Sequence, residues 1–239
     1  MPGLIVNLDR VAALRNHTGT SHPDPAAAAV LAELGGARGV SVHYRPDRPE
    51  SSERDLRILR EITQGRLVLG MSPTSEMMGL ALDVKPDAVT LMMDPPPGQQ
   101  SPSTVDLILD QREIGEIIAS IQGSGIPVLI LVEPDPDQVK NAHRLNADGV
   151  QLHTGAYITA VDETHRRRLR DRIVDAAKLA AKLRLGITAG CGLTYSAAAQ
   201  LSRITEIEDC VVGHGIVSRA LFIGVEAAVR EMVIQLDQR

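Results

Sequence analysis

The chain has 239 residues, 44% hydrophobic and 23% charged, which suits one domain spanning 1–239 with surface enough to bury a sizeable core. Its formal net charge of −5 and the absence of a dense Lys/Arg run give nucleic acid and anionic membrane no obvious purchase. No stretch approaches the ~18 apolar residues of a spanning helix, and the opening "MPGLIVNLDR" has no basic leader, so a cytoplasmic protein is expected.

Along the chain, short Val-, Ile- and Leu-rich runs alternate with longer segments of helical spacing. The first run, "GLIVNLD", reads as a strand buried on both faces. An alanine-rich helix, "DPAAAAVLAELGG", follows and exits at Gly35 and Gly36. The strand "GVSVHYR" leads to the helix "RDLRILREI", and the strands "RLVLGM" and "AVTLMMD" lead to the helix "DLILDQREIGEIIASI". The strand "PVLILVE" precedes the helix "PDQVKNAHRLN", and "GVQLHTG" precedes "RIVDAAKLAAKL". The strands "RLGITAG" and "CVVGHG" and a last helix, "AAVREMVIQLDQ", complete the chain. The cluster "HRRRLR" from His165 to Arg170 reads as a solvated helix face. Alternating strands and helices imply parallel pairing through right-handed crossovers, and eight such units in this length predict a (β/α)₈ TIM barrel. An open doubly wound sheet competes, but no G-x-G-x-x-G follows the first strand.

A barrel of this kind carries its chemistry at the carboxyl ends of its strands. Those ends are polar here: Asn7 and Asp9 at strand one, His43 and Arg45 at strand two, and His153 and Thr154 at strand six. Strand seven ends in Cys191 and Gly192, and strand eight in Gly213 and His214. Any one of these histidines could be a core residue satisfied by backbone, but packing does not require three at one end. In "AGCGLTY" and "VGHGIVSRA" the glycines permit close backbone approach before a segment able to start a helix, the arrangement that binds phosphate after strands seven and eight. Tight turns alone would also account for either glycine pair. The two cysteines, Cys191 and Cys210, lack metal-type spacing and read as free thiols. Placed at the exit of strand seven and the start of strand eight, they are expected roughly 15 Å apart at about 3.3 Å per residue.

The stretches "VNLDRVAALRN", "GTSHPDPAAAA", "SVHYRPDR", "RDLRILRE", "LHTGAY", "AGCGLTY" and "VGHGIVSRA" run in order along the chain. Together they resemble the successive motifs of the pyridoxine 5′-phosphate synthase family of vitamin B6 biosynthesis. The resemblance implies a barrel that condenses 1-deoxy-D-xylulose 5-phosphate with 3-amino-2-oxopropyl phosphate, releasing inorganic phosphate and water. It also implies a homo-oligomer, an octamer in the family, and neither a metal nor another cofactor. Asn7 and Asp9 match the first-strand motif, His43 the family's catalytic histidine and Arg45 its substrate-phosphate arginine. Gly192, Gly213 and His214 match its product-phosphate loops, and His153 stands in "HTG".

Other positions depart from that pattern. Arg10 stands where the family has a histidine, Thr18 where its "RGT" motif has arginine, and Gly70 where a third-strand glutamate is catalytic. Gln151 replaces a glutamate and Cys191 the histidine of "AGHGLTY", while "MMDPPPGQQSPS" replaces "VPE" and leaves the threonine correspondence at Ser101 unsettled. Cys191 either moves a proton or acts as a nucleophile, on condition that its surroundings lower a thiol pKa of about 8.5, or it is a small residue standing where a histidine became dispensable. Three readings of the whole stay open: a divergent synthase relying on His43, a barrel enzyme acting on another phosphorylated carbonyl compound, and a protein that only binds a phosphate ester.

Overall fold

A computed structural model describes residues 1–46, 50–95, 102–107 and 111–237. Eight strands are present: β1 (Gly3–Asn7), β2 (Gly39–His43), β3 (Arg66–Met71), β4 (Ala88–Leu91), β5 (Val128–Val132), β6 (Gly149–His153), β7 (Gly186–Gly190) and β8 (Asp209–Val212). Each pairs in parallel with its neighbour, and β8 returns to β1 to close the barrel. All eight predicted strands are therefore found, and closure replaces the open-sheet alternative.

The helices α1 (Asp9–Thr18), α2 (Pro25–Leu34), α3 (Glu53–Ile62), α4 (Ser75–Val84), α5 (Gln111–Gln122) and α6 (Pro136–Arg144) surround the first part of the barrel. They are followed by α7 (Gly155–Thr159), α8 (Glu163–Lys182), α9 (Tyr195–Leu201), α10 (His214–Ile223) and α11 (Val225–Asp237). Starts are set by side chains that accept from the free first-turn N–H groups. Asp24 accepts from the Ala26 N–H and is followed by Pro25, and Asp135 does the same ahead of Pro136. Ser52 and Asp55 form a reciprocal capping box on α3. Helices α1, α4 and α7 are not among the helical segments read from the sequence. The basic cluster lies on α8 with His165, Arg167 and Arg168 exposed.

The strands are buried along nearly their whole length, as a sheet sandwiched between a helical ring and a filled interior demands. At the amino end of the barrel, Asp209 is 4% exposed and accepts from Arg38 Nη1 at 2.7 Å and Arg66 Nη1 at 2.9 Å. This ion cluster ties β8 to the segments opening β2 and β3. The β7–β8 register sets Ala189 opposite Cys210, two residues before Cys191. The stagger of strands in a barrel thus brings the thiols much closer than a flush sheet would, to roughly 8 Å between Cα atoms by strand spacings. Both remain free. Alternation along β8 explains why: Val211 faces the barrel mouth, so Cys210 points the other way, into the helix layer. No helix among the described residues is long and apolar enough to cross a membrane.

Candidate active site

A single cleft at the carboxyl ends of the strands gathers most of the predicted residues. It encloses about 910 Å³, counting space open at its mouth, and is lined by Asn7, Asp9, Arg10, His43, Arg45, Gln151, Cys191, Gly192, Gly213 and His214. His153 stands apart at the rim, where Nδ1 lies 3.8 Å from Glu133 Oε1 and accepts from the Gly155 N–H. Ser101 lies outside the described residues.

The floor is built by β1 and β2. Asp9 opens α1 and receives the Asn7 amide at 2.8 Å and the His43 backbone N–H at 2.9 Å. Burial raises the Asp9 carboxyl above its ordinary value, against the opposing pull of His43. His43, 8% exposed, places Nε2 3.4 Å from Asp94 Oδ1. That nitrogen is buried and makes no hydrogen bond of good geometry. Arg45 is also mostly buried: Nη2 sits 3.3 Å from Glu50 Oε1, while Nε is buried without a partner. Ser41 adds another unpartnered buried hydroxyl at the cleft wall.

Opposite this floor, the exit of β7 turns sharply. Cys191 and Gly192 both adopt left-handed backbone, φ 75° and 86°, a conformation costly for a residue with a Cβ. Thr154 fixes the turn by donating to the carbonyls of Gly190 and Cys191 at 2.6 and 2.8 Å. Gln151 reaches the Cys191 sulfur at 3.9 Å. The condition attached to Cys191 is not met: burial pushes its thiol up to about 12, and Glu133 pushes the same way. At pH 7 the residue is a neutral thiol, with no nucleophilic thiolate.

At the β8 exit, Gly213 caps α10 without any side-chain hydrogen bond, leaving first-turn N–H groups unclaimed by a side-chain cap, and Gly213 and His214 both line the cleft. A Cβ at Gly213 would come 2.9 Å from Asn7 Oδ1, which accounts for glycine there. Helix α10 is an extra helix preceding α11, the element that builds phosphate sites in such barrels.

Gly70 leaves a gap in the wall. It pairs with His43 on one side and Thr90 on the other, and a Cβ there would lie 3.0 Å from Met92 Sδ and Cε. Met92 therefore occupies the space a longer residue at 70 would need. Sequence reasoning passed over Asp94, Glu50, Ser41 and Met92. Asp94 had a usable signal, since it ends the strand run "AVTLMMD" as other polar residues end theirs; it was absorbed into the departing loop. Glu50 had none, because a five-residue spacing from Arg45 carries no pairing signal in sequence.

Comparison with known proteins follows the same lines. The chain is 42% identical over 233 residues to a pyridoxine 5′-phosphate synthase of Desulforapulum autotrophicum, covering 98% of both proteins. It is 42% identical to that of Geobacter metallireducens, again covering 98% of both, and 40% identical to that of Thermosynechococcus vestitus, covering 97% and 98%. Among solved structures, a phosphoribosylanthranilate isomerase of Thermotoga maritima superposes over all of both chains with TM-score 0.60 at 14% identity. A tryptophan synthase chain of M. tuberculosis matches with TM-score 0.61 and 14% identity over 98% and 93%; at that identity these two speak for the barrel alone. The sequence pattern of the family described as pyridoxal phosphate biosynthesis protein PdxJ matches residues 4–238, and with relatives of this identity along the whole chain, the protein belongs to the pyridoxine 5′-phosphate synthase family of vitamin B6 biosynthesis.

Proposed function

We propose that this barrel condenses 1-deoxy-D-xylulose 5-phosphate with 3-amino-2-oxopropyl phosphate to form pyridoxine 5′-phosphate. The observation that carries the reading is the shared cleft in which His43, Arg45, Asp9 and the Gly192 and Gly213 loops converge. In this reading His43 passes protons at the imine and enol stages, and N–H groups at the start of α10, free of a side-chain cap, hold a phosphate. Incubating purified protein with both substrates and detecting product by mass tests it; a time-dependent product mass is expected. The reading also carries a homo-oligomer, for which Leu221 and Phe222 on α10 supply exposed apolar surface at 73% and 84%.

One set of observations favours a second reading. A neutral thiol at Cys191, an amide at Gln151 and no side chain at Gly70 supply no charge where acid–base groups would be needed. A site so furnished suits another phosphorylated carbonyl compound, or binding of a phosphate ester without turnover. Absence of product alongside a thermal shift with pyridoxine 5′-phosphate would favour it.

A further inference from the structure

We propose that Asp94 is the carboxylate partner of His43, orienting its imidazole and balancing the charge it gains in proton transfer. Three features of the cleft converge on this role. His43 is buried, its backbone fixed by Asp9, and its Nε2 lies 3.4 Å from Asp94 Oδ1. On the intervening strand Gly70 lies opposite His43 of β2 and Thr90 of β4, so no side chain at that position enters the space beside His43. Asp94 is held at the right height by its neighbours, because Met93 and Ser103 exchange two backbone hydrogen bonds of 2.9 Å and pin the chain that follows β4.

The electrostatics agree with the geometry. His43 is the largest influence holding the Asp94 carboxyl below its ordinary value, with further help from Arg45 and Ser72. Asp9 is the other acid beside His43, but it contacts the backbone N–H, and burial raises its carboxyl. Glu50 faces Arg45 instead. A carboxylate behind an imidazole fixes the ring tautomer and stabilises the imidazolium without taking the proton itself. During turnover Nε2–H would face Asp94, which stays ionised, while the other ring nitrogen, Nδ1, would accept a substrate proton and return it to the leaving oxygen.

Use of the pair in turnover rests on the synthase reading, so the test has two arms. In ¹⁵N-histidine-labelled full-length protein, Asp94→Asn is expected to move the His43 ring-nitrogen resonances, assigned with His43→Asn, and to leave the other histidines in place. Unmoved His43 resonances would overturn the pair. With both family substrates, Asp94→Asn is expected to lower kcat about 10- to 100-fold with KM little changed, and Asp94→Glu to recover part of the loss. Moved resonances with unchanged kcat would overturn the positioning role. If the unmodified protein makes no product, the synthase reading falls, while the resonance arm still decides whether Asp94 holds His43.

Discussion

Under the proposed reaction, proton transfer falls to one imidazole, that of His43. His43→Asn is expected to lower any turnover by about 10²–10⁴, measured as product formation at saturating substrate. Cys191 makes the contrasting case. With its thiol pushed up to about 12, alkylation by iodoacetamide at pH 7 should be orders of magnitude slower than for a free thiol of pKa about 8.5, and should accelerate only as pH climbs toward 12. Mass spectrometry of the labelled peptide checks this. Glu50 raises a question of affinity. It lies beside Arg45 at 3.3 Å, where it competes with any phosphate for the guanidinium. Glu50→Gln should tighten phosphate-ester binding roughly fivefold, about 1 kcal/mol, by calorimetry. Residue identity announced His43 and Arg45 through their place at strand ends, but the state of a thiol depends on how much water surrounds it, which one-dimensional spacing does not carry.

Between elements, the clamp joining α1 to α3 is the most exacting contact. Arg15 donates to both oxygens of Asp55 at 2.7 and 2.6 Å, and the same carboxylate closes the Ser52 capping box. The Arg15 and Ser52 contacts hold Asp55 below its ordinary value of 3.8 despite its burial. A carboxyl lowered on folding contributes stability above its unfolded pKa and loses it as pH falls through the folded one, so this contribution should fade below about pH 4. Asp55→Ala leaves a mostly buried Arg15 and should cost about 3 kcal/mol, roughly 6–12 °C in Tm. The wall element β3–β4 has its own constraint. Restoring charge with Gly70→Glu, Gln151→Glu and Cys191→His should raise synthesis only modestly while Met92 fills the space beside residue 70. Adding Met92→Ala should release the larger gain, since groups acting as one relay are strongly non-additive. The capping signals of α2, α3 and α6 were readable as local pattern, whereas the Gly70–Met92 fit joins two strands through side-chain packing and had no sequence trace.

For the molecule as a whole, eight buried strands separated by helices left closure as the consistent outcome, and the barrel follows from periodicity and length. The stagger between strands did not follow, and it is the stagger that corrects the cysteine separation from a flush-sheet value to near neighbours facing opposite layers. Exposed Leu221 and Phe222 lead to an expectation about assembly: light scattering should give a mass that is a multiple of 25.7 kDa, and Phe222→Glu should lower it without loss of helical content. The ion cluster of Asp209 with Arg38 and Arg66 sits at the end of the barrel opposite the cleft, about four strand residues, or ~13 Å, from Gly213. Sites that far apart with no shared partner contribute independently. The cluster acts as an anchor in the foundations: the working end can be re-equipped, at positions 70, 92, 151 and 191 together, while the tie from the last strand to the segments opening the second and third keeps its own hold. Such a chain can lose one reaction and acquire another without ever passing through an unfolded ancestor.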